Sequence, residues 1–177
     1  MAHRPTFPRQ RGFTLLEVMI AVVVFSVGLI GLGLLLTASI RANHVGFLHS
    51  QATFVAESIA DRMRANIVGV WLDAYDGTWD STVAAPAVPC TAGAPCGPAE
   101  VAARDVWAWG RMVGQLLPGG SGRILCTPRA GRPLPTPVEL QAVPVYNGAC
   151  EIRLTWTEQS ETDAGAVQGT FTWVVTP

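Results

Sequence analysis

The chain has 177 residues, of which 49% are hydrophobic and only 14% charged, with a mean hydropathy of +0.31. That length suits one domain with an appendage, and the charge content lies well below the roughly 25% of an ordinary soluble domain, so part of the chain leaves water. Twelve Arg, with no Lys, face thirteen Asp and Glu for a net charge of −1. This excludes a general phosphate-binding surface, and the high apolar content with six Trp to bury excludes a disordered chain.

The excess hydrophobicity is local. Residues 18–40 form an uncharged run of 23 residues rich in Val, Leu, Ile, Ala and Gly. At ~1.5 Å per residue a helix of that length reaches about 34 Å, enough to cross a bilayer core of ~30 Å. Ser26, Thr37 and Ser39 can bond back to the carbonyls of their own helix. Arg4, Arg9 and Arg11 precede the run and only Arg41 follows it closely, which places the N-terminus in the cytoplasm and residues from about 41 onward outside. A cleaved secretory signal also begins with basic residues and an apolar core, but its core is about half as long. A carboxylate, Glu17, also stands at the membrane edge. Such a charge is costly without a partner, unless it is wetted at the level of the headgroups.

Residues 9–20 read RQRGFTLLEVMI. The basic leader, the Gly12–Phe13 junction, Glu17 and the apolar run, all in one register, resemble the class III signal of type IV pilins and type II secretion pseudopilins. The resemblance covers about the first forty residues. It implies that prepilin peptidase cuts between Gly12 and Phe13 and methylates the new amine of Phe13. It also implies that Glu17 pairs with the Phe13 amine of a neighbouring subunit and so sets the register of a filament. The chemistry agrees: Gly12 lets an extended backbone enter a tight cleft, and Glu17 lies about one helical turn from the new terminus, where opposite charges can meet in a low dielectric. The chain then divides into a leader over 1–12, a transmembrane helix over 13–40 and a periplasmic head over 41–177. Loss of the leader leaves nine Arg against thirteen acids, or −4 before the new amine is counted, which argues further against binding nucleic acid. Major pilins often carry a proline in the second half of the membrane helix. Here Gly28, Gly31 and Gly33 stand in that neighbourhood, as a loosening point or as a helix-packing face, with packing favoured.

Beyond Arg41 the helix turns amphipathic. Val45, Leu48, Ala52, Val55, Ile59, Met63 and Ile67 recur every three or four residues, opposite Arg41, Gln51, Ser58 and Arg62, so one helix is expected over 13–67, with Asn66 or Gly69 as its stop. Residues 60–66 read ADRMRAN and resemble a stretch of PilV-type minor pilins, the type IV pilus modification proteins. Asp61 and Arg64 have the spacing of a helix ion pair, and Asp61, Arg62 and Arg64 are candidates for docking a partner. Residues 71–97 lack a period and read as an ordered loop, or a loop with a short turn of helix, carrying Trp71, Tyr75 and Trp79. Gly97-Pro98-Ala99-Glu100 opens a second helix, whose stripe is Ala102, Val106, Trp109, Val113 and Leu116, closed by Pro118-Gly119-Gly120.

The remainder is strand-like. Ile124 and Cys126 share a face; 128–137 is a Pro-rich loop; 138–146 reads as an edge strand broken by Pro144. Cys150, Ile152, Leu154 and Trp156 alternate with polar residues, and after a polar loop over 158–165 so do Val167, Phe171, Trp173 and Val175. The expected fold is α+β: a type IV pilin fold in which a long N-terminal helix, transmembrane and then amphipathic, packs on a head with a second helix and an antiparallel sheet.

Cys90, Cys96, Cys126 and Cys150 all lie on the outer side, where disulfides form. Three pairings exist on paper; Cys90–Cys96, a small loop, and Cys126–Cys150, a staple between strands, are preferred. Without a Cys-x-x-Cys pattern or a nearby His, zinc is a poor alternative. His44 and His49 point to different faces and are read as solvated. Gly119-Gly120-Ser121-Gly122 lacks the Lys of a phosphate loop, and no spacing implies a catalytic triad. Neither an enzyme nor a cofactor is expected. The expected partners are prepilin peptidase, other minor pilins and the major pilin, the inner-membrane assembly platform and membrane lipid. The leading functional expectation is a minor pilin that primes pilus assembly, with a secretion pseudopilin or a tip-located adhesin or DNA-uptake module as alternatives. Trp71, Trp79 and Trp107 are the Trp residues most open to a ligand in the last case.

Overall fold

The computed structural model describes residues 12–87, 90–91, 93–131, 134–142, 144–159 and 165–177. The leader arginines and the middle of the polar loop before the last strand lie outside the described residues. Two compact units are present, one ending at His44 and the other running from Val45 to Pro177; we refer to the second as the head.

Helix α1 runs over Leu15–Ala65 and contributes to both units. It starts where the Thr14 hydroxyl accepts from the Glu17 amide at 3.3 Å, and Arg62 and Arg64 in its last turn sit favourably at its negative pole. It stops two residues short of Ile67, at Asn66, one of the two expected stops, because Asn66 leaves the helical conformation and accepts from the Gly69 amide to cap a separate short helix, α2 over Ile67–Trp71. A turn with Asp73 at φ 52° follows, then strand β1 over Gly77–Trp79, helix α3 over Pro98–Leu116 and strand β2 over Ser121–Thr127. A four-residue helix α4 over Pro137–Leu140 precedes β3 over Ala149–Gln159 and β4 over Ala166–Val175.

The four strands form one antiparallel sheet in the order β1-β2-β3-β4. Ile124, Cys126, Ile152, Leu154 and Trp156 turn inward and share one buried cluster with Leu48, Ala52, Val55, Ile59 and Met63 of α1 and Val106, Trp109 and Val113 of α3. The Trp109 indole donates to the Val55 carbonyl at 2.8 Å, which ties α3 to α1 at the centre of this core. Its ring also lies over Gly122 of β2, where any side chain would collide with it. This α+β arrangement is the expected type IV pilin-like one.

Three local expectations are corrected. The stretch expected to be a loop over 71–97 contains β1, which pairs with β2 through Gly77↔Ile124, Thr78↔Arg123 and Trp79↔Gly122. The stretch expected to be an edge strand over 138–146 instead opens with α4. There the Thr136 hydroxyl accepts from the Glu139 amide at 3.3 Å while the Glu139 carboxylate accepts from the Thr136 amide at 2.7 Å, a reciprocal cap with Pro137 at the first helical position. Val45, expected on the buried stripe, remains exposed, and burial begins at Leu48.

Candidate functional site

Gly12, Phe13 and Thr14 precede α1 without regular structure, and every residue from 12 to 47 is exposed. A Cβ on Gly12 would meet nothing within 4 Å, so no packing in the described chain requires a glycine there. Phe13, Glu17, Ala21 and Phe25 follow one another by a helical turn and line a shallow groove with Val18 and Val22. The Glu17 carboxylate has no ion-pair partner among the described residues. Two of the three hydroxyls expected to bond back to the helix do so: Ser26 donates to the Val22 carbonyl at 2.7 Å and Thr37 to the Gly33 carbonyl at 3.0 Å, as a hydrocarbon environment demands, whereas Ser39 makes no such bond among the described residues. Gly28, Gly31 and Gly33 have nothing within 4 Å of an added Cβ. The helix is thus long and apolar enough to cross a membrane.

The structure separates the three residues expected to dock a partner. Asp61 and Arg64 pair with each other at 2.7 Å on the exposed side of α1, an arrangement worth only tenths of a kcal/mol. Arg62 instead turns toward α3, its Nη1 donating to Asp105 Oδ1 at 3.0 Å. Asp105 Oδ2 accepts from the buried Tyr75 hydroxyl at 2.8 Å, and that hydroxyl accepts from Asn66 Nδ2 at 3.1 Å. Asn66 Nδ2 also donates to the Pro98 carbonyl at 2.8 Å. Arg62 and Asn66 of the ADRMRAN stretch therefore clamp the end of α1 to α3 and the turn before β1. Asp105 and Tyr75 completed this network without any local signal in the sequence, since Asp105 lies 43 residues from Arg62. Burial, and then the bond to Asp105, push the Tyr75 phenol well up.

Cys90 is bonded to Cys96, and Cys126 to Cys150; the second pair occupies directly opposed positions of β2 and β3. His44 and His49 are exposed, the His49 ring meeting the Trp156 ring edge-on at 5.3 Å. Trp71 and Trp79 are half-buried and donate to the Pro144 and Tyr75 carbonyls, each at 3.0 Å, while Trp107 carries the Arg111 guanidinium 5.6 Å above its ring. Among the described residues no group of three His, Cys, Asp or Glu is placed to hold a metal ion.

Residues 7–33 match the family model described as the prokaryotic N-terminal methylation motif. No curated protein and no solved structure matches the chain. The matched segment spans the Gly12–Phe13 junction, Glu17 and the apolar run as far as Gly33. The motif supports a type IV pilin-like or pseudopilin-like prepilin. It implies processing by prepilin peptidase and assembly with other pilins, it is a mark of structural subunits rather than enzymes, and with the apolar helix it fits anchoring in the inner membrane.

Proposed function

We propose that this chain is a minor type IV pilin of the PilV type. As a precursor it spans the inner membrane once, with the N-terminus cytoplasmic and the head periplasmic. Prepilin peptidase cuts between Gly12 and Phe13 and methylates Phe13, and the mature subunit, held in register through Glu17, joins other minor pilins on the assembly platform to prime the filament. It is incorporated at or near the pilus tip and supports twitching and adhesion. The observation that carries this reading is the methylation motif over residues 7–33, continued by an apolar helix whose Glu17 has no ion-pair partner among the described residues.

A pseudopilin of type II secretion shares that signal. The ADRMRAN stretch and the two disulfides of the head favour the pilus. Deletion of the gene in a strain whose pili cannot retract tests the proposal. Loss of surface pili, restored by the intact gene, is expected. A full complement of pili with failed secretion of exoproteins would select the secretion system. Full piliation with lost adhesion or DNA uptake would select a binding module.

A further inference from the structure

Only one face of the head sheet is buried. Alternation along β2 turns Ile124 and Cys126 inward and Arg123 and Leu125 outward. The register then places Arg123 directly opposite Arg153 of β3, with Thr78 and Thr172 completing the row across all four strands. Like charges at opposed positions of adjacent strands destabilise a sheet. Arg153 is compensated by Glu151, whose Oε1 accepts from its Nη2 at 2.8 Å, but Arg123 has no carboxylate partner among the described residues. The adjoining row is Leu125, Glu151 and Val174, and its two apolar members are 46% and 60% exposed. A guanidinium without a carboxylate partner among the described residues thus lies beside an exposed apolar pair, at a cost to the fold.

The chemistry of this face selects its occupant. A bare sheet face offers no cavity for a small molecule. One uncompensated cation is too little for a nucleic acid, whose affinity comes from several phosphate contacts. The face also lacks a ring on which a base could stack, because Trp156, Phe171 and Trp173 share the register positions of the opposite face. Arg beside exposed apolar side chains is instead the composition of a protein–protein contact. We infer that the outer sheet face around Arg123 docks a neighbouring subunit other than a copy of this chain, an exposed carboxylate of that subunit meeting the Arg123 guanidinium while its apolar side chains cover Leu125 and Val174. The inference rests on reading the chain as an assembling subunit.

The test uses the full-length chain in its own cells, carrying Arg123→Glu, Arg123→Lys, or a photo-reactive phenylalanine analogue in place of Leu125. Arg123→Glu removes a like-charge pair, so the melting temperature of the detergent-solubilised chain is expected not to fall and cleavage after Gly12 to proceed. Recovery of the chain in the sheared surface fraction is expected to drop roughly tenfold, and less for Arg123→Lys. The analogue at position 125 is expected to cross-link to a different subunit, and the adduct to vanish when combined with Arg123→Glu. Undiminished recovery, a lowered melting temperature, or an adduct with lipid or a second copy of this chain would each overturn the inference. A Gly12→Val control separates the two readings. If that variant is also recovered normally, the chain is not a processed subunit. If it is lost while Arg123→Glu is retained, only the docking face is wrong.

Discussion

Tyr75 stands where α1, α2 and α3 meet, and its hydroxyl is a buried donor and acceptor at once. Replacing it with Phe leaves Asp105 and Asn66 each short of one bond, and an unpaired buried polar group costs about 1–3 kcal/mol. Tyr75→Phe is therefore expected to lower the denaturant midpoint of the full chain in detergent without changing its helix content. An unchanged midpoint would show that the network is solvated. The chain has two tyrosines, and both are shifted in the same direction. Burial and then Asp105 push Tyr75 up, and burial with the Asp73 and Asp76 carboxylates pushes Tyr146 up to about 12. An unfolded tyrosine ionises near pH ~10, so above that pH the folded chain binds more protons than the unfolded one. The stability from both phenols is complete below pH ~10 and is lost as pH rises toward their folded values. Phenolate absorbance is expected to appear only together with alkaline unfolding. A separate phenolate step near pH ~10 with the fold intact would contradict this.

The smallest element, β1, depends on glycines that lie elsewhere in the chain. A Cβ on Gly110 of α3 would come 2.5 Å from the Asp80 carbonyl oxygen, and one on Gly114 would come 2.7 Å from the Ser81 Cβ, so the two glycines admit the backbone that leaves β1. Gly110→Ala is expected to cost about 1–3 kcal/mol through overpacking, although alanine is the better helix former. Gly31→Ala, with nothing near it, is expected not to destabilise the monomer, which thermal melts of the two variants would compare. The Cys126–Cys150 bond closes 24 residues, and replacing both by Ser is expected to lower stability by about 3 kcal/mol. These elements also show what a sequence can disclose. The stripes of α1 and α3 were readable because seven and five apolar residues repeat at helical spacing. The alternation in β3 and β4 was readable for the same kind of reason. The three residues of β1 carry no period, and only their neighbours across space make them a strand. In contrast, α4 was announced locally by Thr136-Pro137 and Glu139, but the apolar residues after them suggested a strand instead.

At the scale of the whole chain, the proposed cleavage gives the two ends of the charge distribution different fates. Arg4, Arg9 and Arg11 precede the Gly12–Phe13 junction, so a cut there would free the Phe13 amine, remove three cations and leave the acidic head. The proposed junction rests on a short contiguous motif and so is a local feature of the sequence, whereas the outer sheet face emerged only once the register had brought Arg123 to Arg153. Two substitutions separate cutting from assembly. Gly12→Val adds a β-branched side chain where the chain itself has empty space, so folding of the head is expected to be untouched while the precursor keeps its leader and its original mass. Glu17→Ala leaves the junction intact, so cleavage and methylation of Phe13 are expected to proceed, but the subunit loses the carboxylate that would meet an amine in a water-poor filament core. Breaking one partner of such a buried charge pair costs several kcal/mol, so incorporation is expected to fall about tenfold or more. Glu17→Gln, which keeps the shape and the hydrogen-bonding oxygen, is expected to fail almost as badly, because the amine needs a charge. Mass spectrometry of the N-terminus and quantification of the sheared fraction would read both steps, and normal incorporation of Glu17→Gln would show that Glu17 acts through shape rather than charge.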